Sequence, residues 1–498
     1  MIEAGVVAAL ERRRRLTLAA TILGSSLAFI DATVVVVALP RIEEDLDIGL
    51  AGEQWVYLSY SLTLAALYLV AGAVGDRYGR RETFMWGVVG FATASVLAGL
   101  APNEGILIVA RALQGVGGAF MTTNSLALLR ATFGPESGRA IGLWTSFTGV
   151  ATIAGPPAGG ALVEWASWRW IFFLNLPLAA VTLAIAWLGR CPERAKVRVG
   201  NMDVAGAATA ALGFGSLTYA MVEGAEKGFG GYWWAFLLAA VSLVAFVVVE
   251  RRVREPLLAF SLFRRRNFFA ANLETFLVYA ALGGSLVYFT LYLQFIGFTP
   301  FEAGLANIPT SMIMILLAAR FGRLADRNGP RLYLTLGPVL VGAGALLFLP
   351  IEDTRDFWFF GVPGLVLFSV GLAALVAPIT ATALSSVSRE YAGVASGVNS
   401  TIARLGNLLA VAVIGLVVSL VFTARAGDTA AVPLAAGQTD PELRAATIDA
   451  FRAGMLIAAG LAFAGAVAGW LWISNAEARA GDGSPDVETE LDIAVGAE

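Results

Sequence analysis

Four ionisable side chains lie inside long apolar segments of this sequence, and they are the residues whose types suggest chemistry. They are Asp31, Arg111, Glu274 and Arg404. A charged side chain at the centre of a membrane-spanning helix costs about 2.5–3.5 kcal/mol, so such residues usually face a wet cavity or pair with an opposite charge, or carry a proton when acidic. Because the chain contains no His, proton binding near neutral pH would fall to carboxylates.

Asp31 is the first candidate for a proton-coupling site, and Glu274 is the second. Asp31 lies about 15 residues into the first apolar segment, roughly 22 Å along a straight helix. The alternative for Asp31 is a fixed ion pair, for example with Arg111, that serves folding only. Glu274 either binds a second proton, attracts cationic substrates from the opposite half, or extends toward the cytoplasmic headgroups beside Arg266. Arg404 is expected to donate hydrogen bonds between helices and so hold the C-terminal half together.

The composition requires an apolar environment for these segments. The chain of 498 residues is 58% hydrophobic and only 14% charged, with a mean hydropathy of +0.74. A soluble chain carries about 25% charged residues. The net charge of −3 argues against a nucleic-acid partner, which would need a basic face. The single cysteine, Cys191, excludes an intramolecular disulfide and a cysteine-based metal site.

Apolar windows long enough to cross a bilayer, about 20 residues each, recur along almost the whole chain. We predict an all-α membrane protein with fourteen transmembrane helices, and twelve is the alternative number. The predicted spans are 16–39, 54–75, 83–102, 106–129, 140–163, 169–189, 204–222, 231–249, 268–296, 303–319, 332–350, 358–384, 393–423 and 452–474.

The positions of Lys and Arg predict the orientation of these spans. About 25 of the 34 basic residues fall in loops that this topology places inside, and about 7 fall in loops placed outside. The basic run at 12–15 precedes an apolar stretch that is longer than a signal peptide and has no cleavage site near its end. We therefore expect a multi-pass protein of the inner (cytoplasmic) membrane with both termini in the cytoplasm.

The sequence repeats itself with an offset of about 250 residues. The segment Gly72–Arg81 is echoed by Gly322–Arg331, and the small-residue pattern at 138–142 is echoed at 393–397. Two repeated halves with a site between them are typical of secondary transporters. The predicted domains are an N-terminal segment 1–15, a six-helix bundle 16–190, a linker with two inserted helices 191–250, a basic loop 251–267, a second six-helix bundle 268–475 and an acidic tail 476–498.

Five motifs, in the right order and on the right spans, resemble those of the major facilitator superfamily and its fourteen-helix drug:proton antiporter branch. The resemblance extends from about Ala28 to Ala476. The motif segments are Phe29–Pro40, Gly72–Arg81, Leu107–Gly117, Gly155–Gly160 and Trp168–Pro177. The sequence departs from the branch at Val36, where the branch usually carries Asn.

The resemblance implies roles for several residues. Arg111 would lie beside the first helix and favour the ionised form of Asp31; the alternative is that Arg111 extends to the outer membrane interface. A conformational latch at the cytoplasmic helix ends is implied, for which the alternative is a purely topological role; its residues would be Gly72, Asp76, Arg77, Gly79, Arg80, Arg81, Asp326 and Arg327. The antiporter motif would be Gly155, Pro156, Gly159 and Gly160. Independently of the resemblance, aromatic and polar side chains that could line a cavity for flat or cationic organic molecules are Tyr60, Asn124, Tyr288 and Gln294; the alternative for the aromatic residues is that they face lipid or the membrane interface.

Taken together, the sequence predicts a monomeric, proton-coupled exporter of amphipathic or cationic small molecules, of the multidrug efflux type. No nucleotide-binding loop or nucleophile motif occurs in a suitable context, so we expect neither an enzyme nor a cofactor. The expected partners are protons, a small-molecule substrate and the lipid bilayer. The alternatives are an exporter of an endogenous metabolite, lipid or siderophore, an uptake symporter, and a membrane sensor that does not transport.

Overall fold

The computed structural model describes residues 2–133, 137–189, 204–253, 260–387, 392–427, 432–435 and 438–480, and within these ranges the chain forms helices and no strands. Residues 191–203 of the linker predicted at 191–250, part of the basic loop 251–267 and most of the acidic tail 476–498 lie outside the described residues. The side chain of Asp76 lies outside them as well.

The helices follow the apolar segments because long runs without charge satisfy their backbone groups only within a helix when water is excluded. The first group of helices is α1 (Ile2–Leu46), α2 (Leu50–Tyr78), α3 (Arg80–Gly99), α4 (Glu104–Phe133), α5 (Ser137–Trp165), α6 (Trp170–Phe173) and α7 (Asn175–Leu188). Two further helices follow, α8 (Val204–Lys227) and α9 (Trp233–Glu250).

The second group begins after the basic loop. Its helices are α10 (Arg266–Phe295), α11 (Pro300–Leu305), α12 (Ile308–Asn328), α13 (Arg331–Leu346), α14 (Thr354–Asp356), α15 (Val362–Ser385), α16 (Ala392–Ala426), α17 (Pro441–Trp472) and α18 (Asn475–Ala480). Short helices α6, α11 and α14 each lead into the helix that follows, and α18 is a six-residue helix after α17. The described chain therefore contains fourteen long helical segments, compatible with the predicted number.

Ten of the segments in the described ranges are long and apolar enough to cross a membrane, judged by length and composition alone. The helix α13 is apolar but shorter. The remaining three, α2, α3 and α5, contain 29, 20 and 29 residues. The predicted span 303–319 is a broken helix, because Thr299 caps α11 with a capping box and Pro309 starts a new helix at α12.

The helices pack as two groups joined by the inserted pair. In the first group α1 packs against α4, α5 and α7, and α4 packs against α2 and α3. In the second group α10 packs against α16 and α17, and α15 packs against α12 and α13. The groups contact each other through α5 with α11 and α2 with α16. The inserted helix α8 contacts both α2 and α16, so it lies against both groups.

The 250-residue repeat is visible in how the helices cross. A Cβ atom on Gly87 of α3 would lie 2.7 Å from the backbone nitrogen of Met121 on α4, and one on Gly117 would lie 2.6 Å from the backbone nitrogen of Phe91. The helices α13 and α15 cross in the same way. A Cβ atom on Gly371 of α15 would lie 2.5 Å from the carbonyl oxygen of Gly337 on α13. Small residues let membrane helices approach this closely.

This crossing yields a test with a control on the same helix. Gly87→Ala should lower the free energy of unfolding by about 2 kcal/mol, because overpacking forces two backbones apart. Gly90→Ala should be neutral or slightly stabilising, since a Cβ atom at Gly90 meets nothing within 4 Å and Ala is the better helix former. Thermal unfolding of the purified variants in detergent measures both, and equal midpoints would contradict the close crossing.

Candidate functional site

Asp31 lies in a closed hydrogen-bond network in the interior of the first helix group. Its carboxylate oxygen Oδ2 accepts a hydrogen bond from Nη1 of Arg111. Its other oxygen, Oδ1, accepts hydrogen bonds from Nε2 of Gln114 at 3.0 Å and Nδ2 of Asn175 at 2.9 Å. Asp31 is only 2% exposed, and Arg111, Gln114 and Asn175 are fully buried. Both carboxylate oxygens therefore have donors that stabilise a negative charge.

A second layer of contacts holds these donors in place. The hydroxyl oxygen of Ser95 on α3 accepts hydrogen bonds from Gln114 at 2.8 Å and Asn175 at 3.2 Å, and the same hydroxyl donates to the carbonyl of Phe91. Because Ser95 has a single proton, that donation leaves its lone pairs for the two amides. The network thus joins α1, α3, α4 and α7.

Arg111 is held on the other side by α2 and by aromatic rings. Its Nε donates to the carbonyl oxygen of Val56 at 3.0 Å, and its Nη1 also donates to Oε1 of Gln114 at 2.9 Å. The guanidinium carbon lies 4.6 Å from the ring centroid of Tyr60 and 5.8 Å from that of Phe172. Among the described residues, Nη2 has no hydrogen-bond partner. The guanidinium is thus fixed by three helices and by cation–π contacts.

Sequence reasoning identified the pair of Asp31 and Arg111 but not the residues that complete the network. Gln114 and Asn175 belong to segments that carried the family resemblance, yet nothing local indicated that both donate to Asp31. Asn175 is 144 positions from Asp31 in the chain. The available signal was their type, since amide side chains inside apolar helices are costly without partners.

Glu274 on α10 is fully buried, and neither carboxyl oxygen has a hydrogen-bond partner within the described residues. Oε2 lies 3.1 Å from the position of a Cβ atom on Gly469 of α17. The alternative in which Glu274 extends to the headgroups is therefore wrong. Arg266 instead donates to the backbone carbonyls of Leu471 and Trp472, at 2.8 and 2.9 Å, and so caps the end of α17.

The glycine-and-arginine loops after α2 and α12 have the same geometry. Gly79 ends α2 with φ 108°, and Gly329 ends α12 with φ 93°, a conformation that favours glycine. Arg81 then donates to the carbonyl of Ala186 at 2.9 Å, near the end of α7. Arg331, 250 positions later, donates to the carbonyl of Trp470 at 2.9 Å, near the end of α17.

These arginines connect helices within one group. Each places positive charge at the negative end of the last helix of its own group, where carbonyls lack partners. Arg80 likewise donates to the carbonyl of Ala127 on α4 at 3.3 Å. The other proposed latch residues, Arg77, Asp326 and Arg327, are exposed. Gly72 lies against α4, because a Cβ atom on Gly72 would lie 3.2 Å from Cγ2 of Thr123.

The antiporter motif lies where α5 crosses two other helices. Gly155 and Gly159 face α1, because Cβ atoms there would meet Oγ1 of Thr33 at 2.1 Å and Cγ1 of Val34 at 2.9 Å. Gly160 faces α11 of the other group. A Cβ atom on Gly160 would lie 2.4 Å from the carbonyl oxygen of Pro300. Conversely, a Cβ atom on Gly304 of α11 would lie 2.4 Å from the carbonyl oxygen of Pro156. This contact closes the end of the molecule that the arginine pattern predicts to face outside.

The four predicted cavity residues are all buried in helix contacts in this conformation. The hydroxyl groups of Tyr60 and Tyr288 donate to the carbonyls of Ala28 and Val411, and the amide of Gln294 donates to the carbonyl of Val37, across the two groups. Asn124 donates to the carbonyl of Ala71 at 3.1 Å and joins α4 to α2. Within the described residues, no group of His, Cys, Asp and Glu could hold a metal ion.

Comparisons with known proteins agree with this architecture. The family model of the Major Facilitator Superfamily matches residues 21–411. The Multidrug resistance protein Stp of Mycobacterium tuberculosis (strain CDC 1551 / Oshkosh) is 36% identical over 415 residues, which are 82% of this chain and 77% of that protein. The Tetracenomycin C resistance and export protein of Streptomyces glaucescens is 33% identical over 421 residues, 83% of this chain and 76% of that protein.

A solved structure shares the fold at low sequence identity. It is the crystal structure of a bacterial homolog to the human lysosomal transporter Spinster, in an inward-facing and unoccupied conformation. The TM-score is 0.65 at 17% identity, and the match covers 94% of this chain and 97% of that one. At this identity the likeness concerns the fold alone.

The buried ion pair yields a stability prediction. Asp31→Asn should lower the free energy of unfolding by about 3 kcal/mol, because it leaves the charge of Arg111 buried without a counter-charge. The double variant Asp31→Asn with Arg111→Gln should lose less than the sum of the two single variants, since it removes both charges. Thermal unfolding in detergent measures all three.

The control is Asp45→Asn. Asp45 also pairs with an arginine, Arg169, but its side chain is 47% exposed. The expected loss is below about 1 kcal/mol. Equal losses for the variants of Asp31 and Asp45 would show that the buried pair is not held as described.

Proposed function

Because this chain belongs to the major facilitator superfamily and is a multi-pass membrane protein, we propose that it exports amphipathic small molecules in exchange for protons, by alternating access between its two helix groups. Relatives named for multidrug resistance and for antibiotic resistance and export support the export direction. The proposal includes the domain boundaries at 16–190 and 268–475, a monomeric state, cytoplasmic termini and no enzymatic activity.

The observation that carries the proposal is the network around Asp31. Asp31 accepts hydrogen bonds from three side chains on two other helices, α4 and α7, and these contacts would depend on its charge. A proton on Asp31 would neutralise the carboxylate and turn one oxygen from an acceptor into a donor. The guanidinium of Arg111 would then lose its counter-charge, and the packing of α1 against α4 and α7 would favour a different arrangement.

The closed contact of α5 and α11 is the element on which this switch would act. The helix α1 carries Asp31, and it also carries Thr33 and Val34, which pack against Gly155 and Gly159 of α5. A shift of α1 would therefore move α5, whose Gly160 lies against α11 of the other group. Protonation in the first group would in this way open or close the contact between the groups.

Glu274 is proposed as a second proton site in the other group. An ionised carboxylate without partners costs several kcal/mol in apolar surroundings. Glu274 would therefore carry a proton in this conformation and release it when α10, α13 and α17 rearrange. Its place in the second group would let both groups respond to protons.

Asp31→Asn should abolish the exchange of substrate for protons. The purified protein is placed in proteoliposomes with an imposed pH gradient, and substrate movement and proton movement are followed together with fluorescent probes. The wild type should couple the two, whereas the variant should show less than about 1% of the coupled flux, as expected when a group essential for proton transfer is removed. The amide of Asn cannot bind the coupling proton.

Asp45→Asn is the matched control and should keep coupled transport. Coupled transport by Asp31→Asn at the wild-type rate would contradict the role of Asp31. A wild type that moves no drug-like probe would instead favour an exported metabolite, lipid or siderophore, which the same vesicles would test. Binding without movement of any probe would favour a sensor.

Glu274→Gln should separate proton binding from folding. Gln resembles a protonated Glu in shape and charge, so the free energy of unfolding should stay within about 1 kcal/mol of the wild type, unlike that of Asp31→Asn. The number of protons moved per substrate should fall. The measurement combines thermal unfolding with the ratio of proton to substrate flux. A large loss of stability would show that Glu274 is ionised and paired, and an unchanged ratio would exclude it from coupling.

A further inference from the structure

Glu53 near the start of α2 is a buried acid that the exchange mechanism does not use. Its side chain is only 5% exposed. In the described part of the chain its carboxyl group has no hydrogen bond and no ion pair. Glu53 does not cap α2, because its own backbone N–H already donates to the carbonyl of Gly49 at 3.2 Å and closes the first turn. Its burial therefore has no local structural explanation.

Glu53 lies where the two helix groups meet, at the end of the molecule that the arginine pattern predicts to face outside. The next residue, Gln54, reaches α16 of the other group. A Cβ atom on Gly415 of α16 would lie 2.2 Å from Nε2 of Gln54 and 2.2 Å from the hydroxyl oxygen of Tyr288 on α10. Glu53 also interacts electrostatically with that hydroxyl group, and Tyr57, one turn along α2, belongs to the same buried apolar cluster as Tyr288. Glu53 is thus on the face of α2 that meets α10 and α16.

No cation among the described residues balances a negative charge on Glu53. The charged side chains at this end of the helices packed against α2 are either acidic or engaged elsewhere. The acidic ones are Glu43 and Asp47 at the end of α1 and Glu104 at the start of α4. The engaged ones are Arg41 with Glu44, Arg169 with Asp45, Arg111 with Asp31, Glu223 with Trp55, and Arg425 with Asp449.

Arg404, the other charged residue of α16, lies too deep in the interface to pair with Glu53. Its guanidinium carbon is 4.6 Å from the ring centroid of Tyr68 on α2, which is about 22 Å from Glu53 along the helix. The hydrogen bonds expected from Arg404 to other helices are not formed among the described residues. The surroundings of Glu53 are therefore apolar or negatively charged.

These surroundings favour a proton on Glu53 while the two groups are in contact. An ionised carboxylate buried without a partner costs several kcal/mol. The positive end of α2 would return only about 0.3–1 kcal/mol, and the charge of Glu43 opposes ionisation. The cost of burial is the larger effect. If α2 separated from α10 and α16, water would solvate the carboxylate and remove that cost.

From this position we propose that Glu53 is a proton-binding site of the outer gate, the contact of α2 with α10 and α16 beside that of α5 with α11. Glu53 binds a proton from the outer solution as the gate closes and returns it there when the gate opens. This inference rests on the proposed exchange function and specifies how its outer gate responds to protons. Because the proton returns to the side from which it came, Glu53 adds nothing to the number of protons moved per substrate.

The outer gate would be linked to the buried ion pair through one turn of α2. The carbonyl oxygen of Val56, three residues after Glu53, accepts the hydrogen bond from Nε of Arg111 at 3.0 Å. Arg111 is the partner of Asp31. Movement of the start of α2 would therefore shift an anchor of Arg111, so that opening the gate would also disturb the network around Asp31.

The test measures the opening of the gate by pulsed electron paramagnetic resonance between two spin labels. Cys191→Ser removes the native thiol, and Pro102→Cys and Thr354→Cys place the labels at exposed positions at the outer ends of the two groups. The protein is studied in phosphatidylcholine nanodiscs without substrate. From about pH 5 to about pH 9 the ratio of open to closed molecules should rise, by up to about tenfold per pH unit for one proton. Glu53→Gln cannot ionise and should lower that ratio at the alkaline end by at least about tenfold.

Two variants made in the same labelled protein are controls. Glu53→Asp keeps an acid and should keep the pH response. Glu44→Gln removes an exposed acid of the same end, paired with Arg41, and should leave the response unchanged. A wild-type ratio that does not depend on pH, or a Glu53→Gln protein that responds like the wild type, would overturn the proposal. Thermal unfolding is measured as well: a loss of stability in Glu53→Gln as large as that in Asp31→Asn would also overturn it, because Glu53 would then be ionised and paired.

Flux in proteoliposomes keeps this inference separate from the exchange function. Glu53→Gln should slow the exchange without changing the number of protons moved per substrate, and a changed number would overturn the proposal. Wild-type exchange together with a gate that is insensitive to Glu53→Gln would leave the exchange function intact and overturn the gate site. Gate opening that depends on Glu53, without any exchange, would support the gate site and contradict the exchange function.

Discussion

The buried pair of Asp31 and Arg111 is the interaction on which the rest of the first helix group depends. A carboxylate taken out of water loses several kcal/mol of hydration, and its attraction to one arginine restores that only when the remaining lone pairs are satisfied as well. The structure meets this condition with Gln114 and Asn175, which are themselves oriented by Ser95. The four helices α1, α3, α4 and α7 must keep their relative positions for the carboxylate of Asp31 to keep its hydrogen bonds. Any process that changes the charge of Asp31 therefore acts on all four helices at once.

Close backbone contact between helices is a second constraint on the fold, because it determines how near the two helix groups approach each other. Gly160 and Gly304 place the backbones of α5 and α11 against each other with no side chain between them. Beside this backbone contact, the rings of Trp165 and Phe301 lie 5.3 Å apart, and the backbone N–H of Phe301 donates to Oε2 of Glu164 at 3.4 Å. By contrast, Arg81 and Arg331 fasten the last helix of each group to its own group through backbone carbonyls. Hydrogen bonds that fasten the last helix to its own group suit motion of each group as a unit.

The sequence predicted features that depend on local pattern and missed those that depend on register between distant segments. The repeat with an offset of 250 residues aligns Gly79 with Gly329, and both adopt positive φ. The pairing of Asp31 with Arg111 was one of two alternatives, since an acid and a base inside apolar helices need partners. Asn175 as a third partner and Tyr68 beside Arg404 could not be predicted, because the rotation of a helix about its axis is determined by packing across the whole bundle. For the same reason the buried position of Glu274 against α17 required the structure.

The charge of the substrate affects the energetics of the exchange as well as recognition. When one proton enters and one monovalent cation leaves, no net charge crosses the membrane, so only the pH gradient drives the cycle. When one proton enters and one monovalent anion leaves, two positive charge equivalents move inward. Each charge moved is worth about 2.3 kcal/mol per 100 mV of membrane potential. The charge of the exported molecule therefore decides whether the membrane potential, as well as the pH gradient, drives its export.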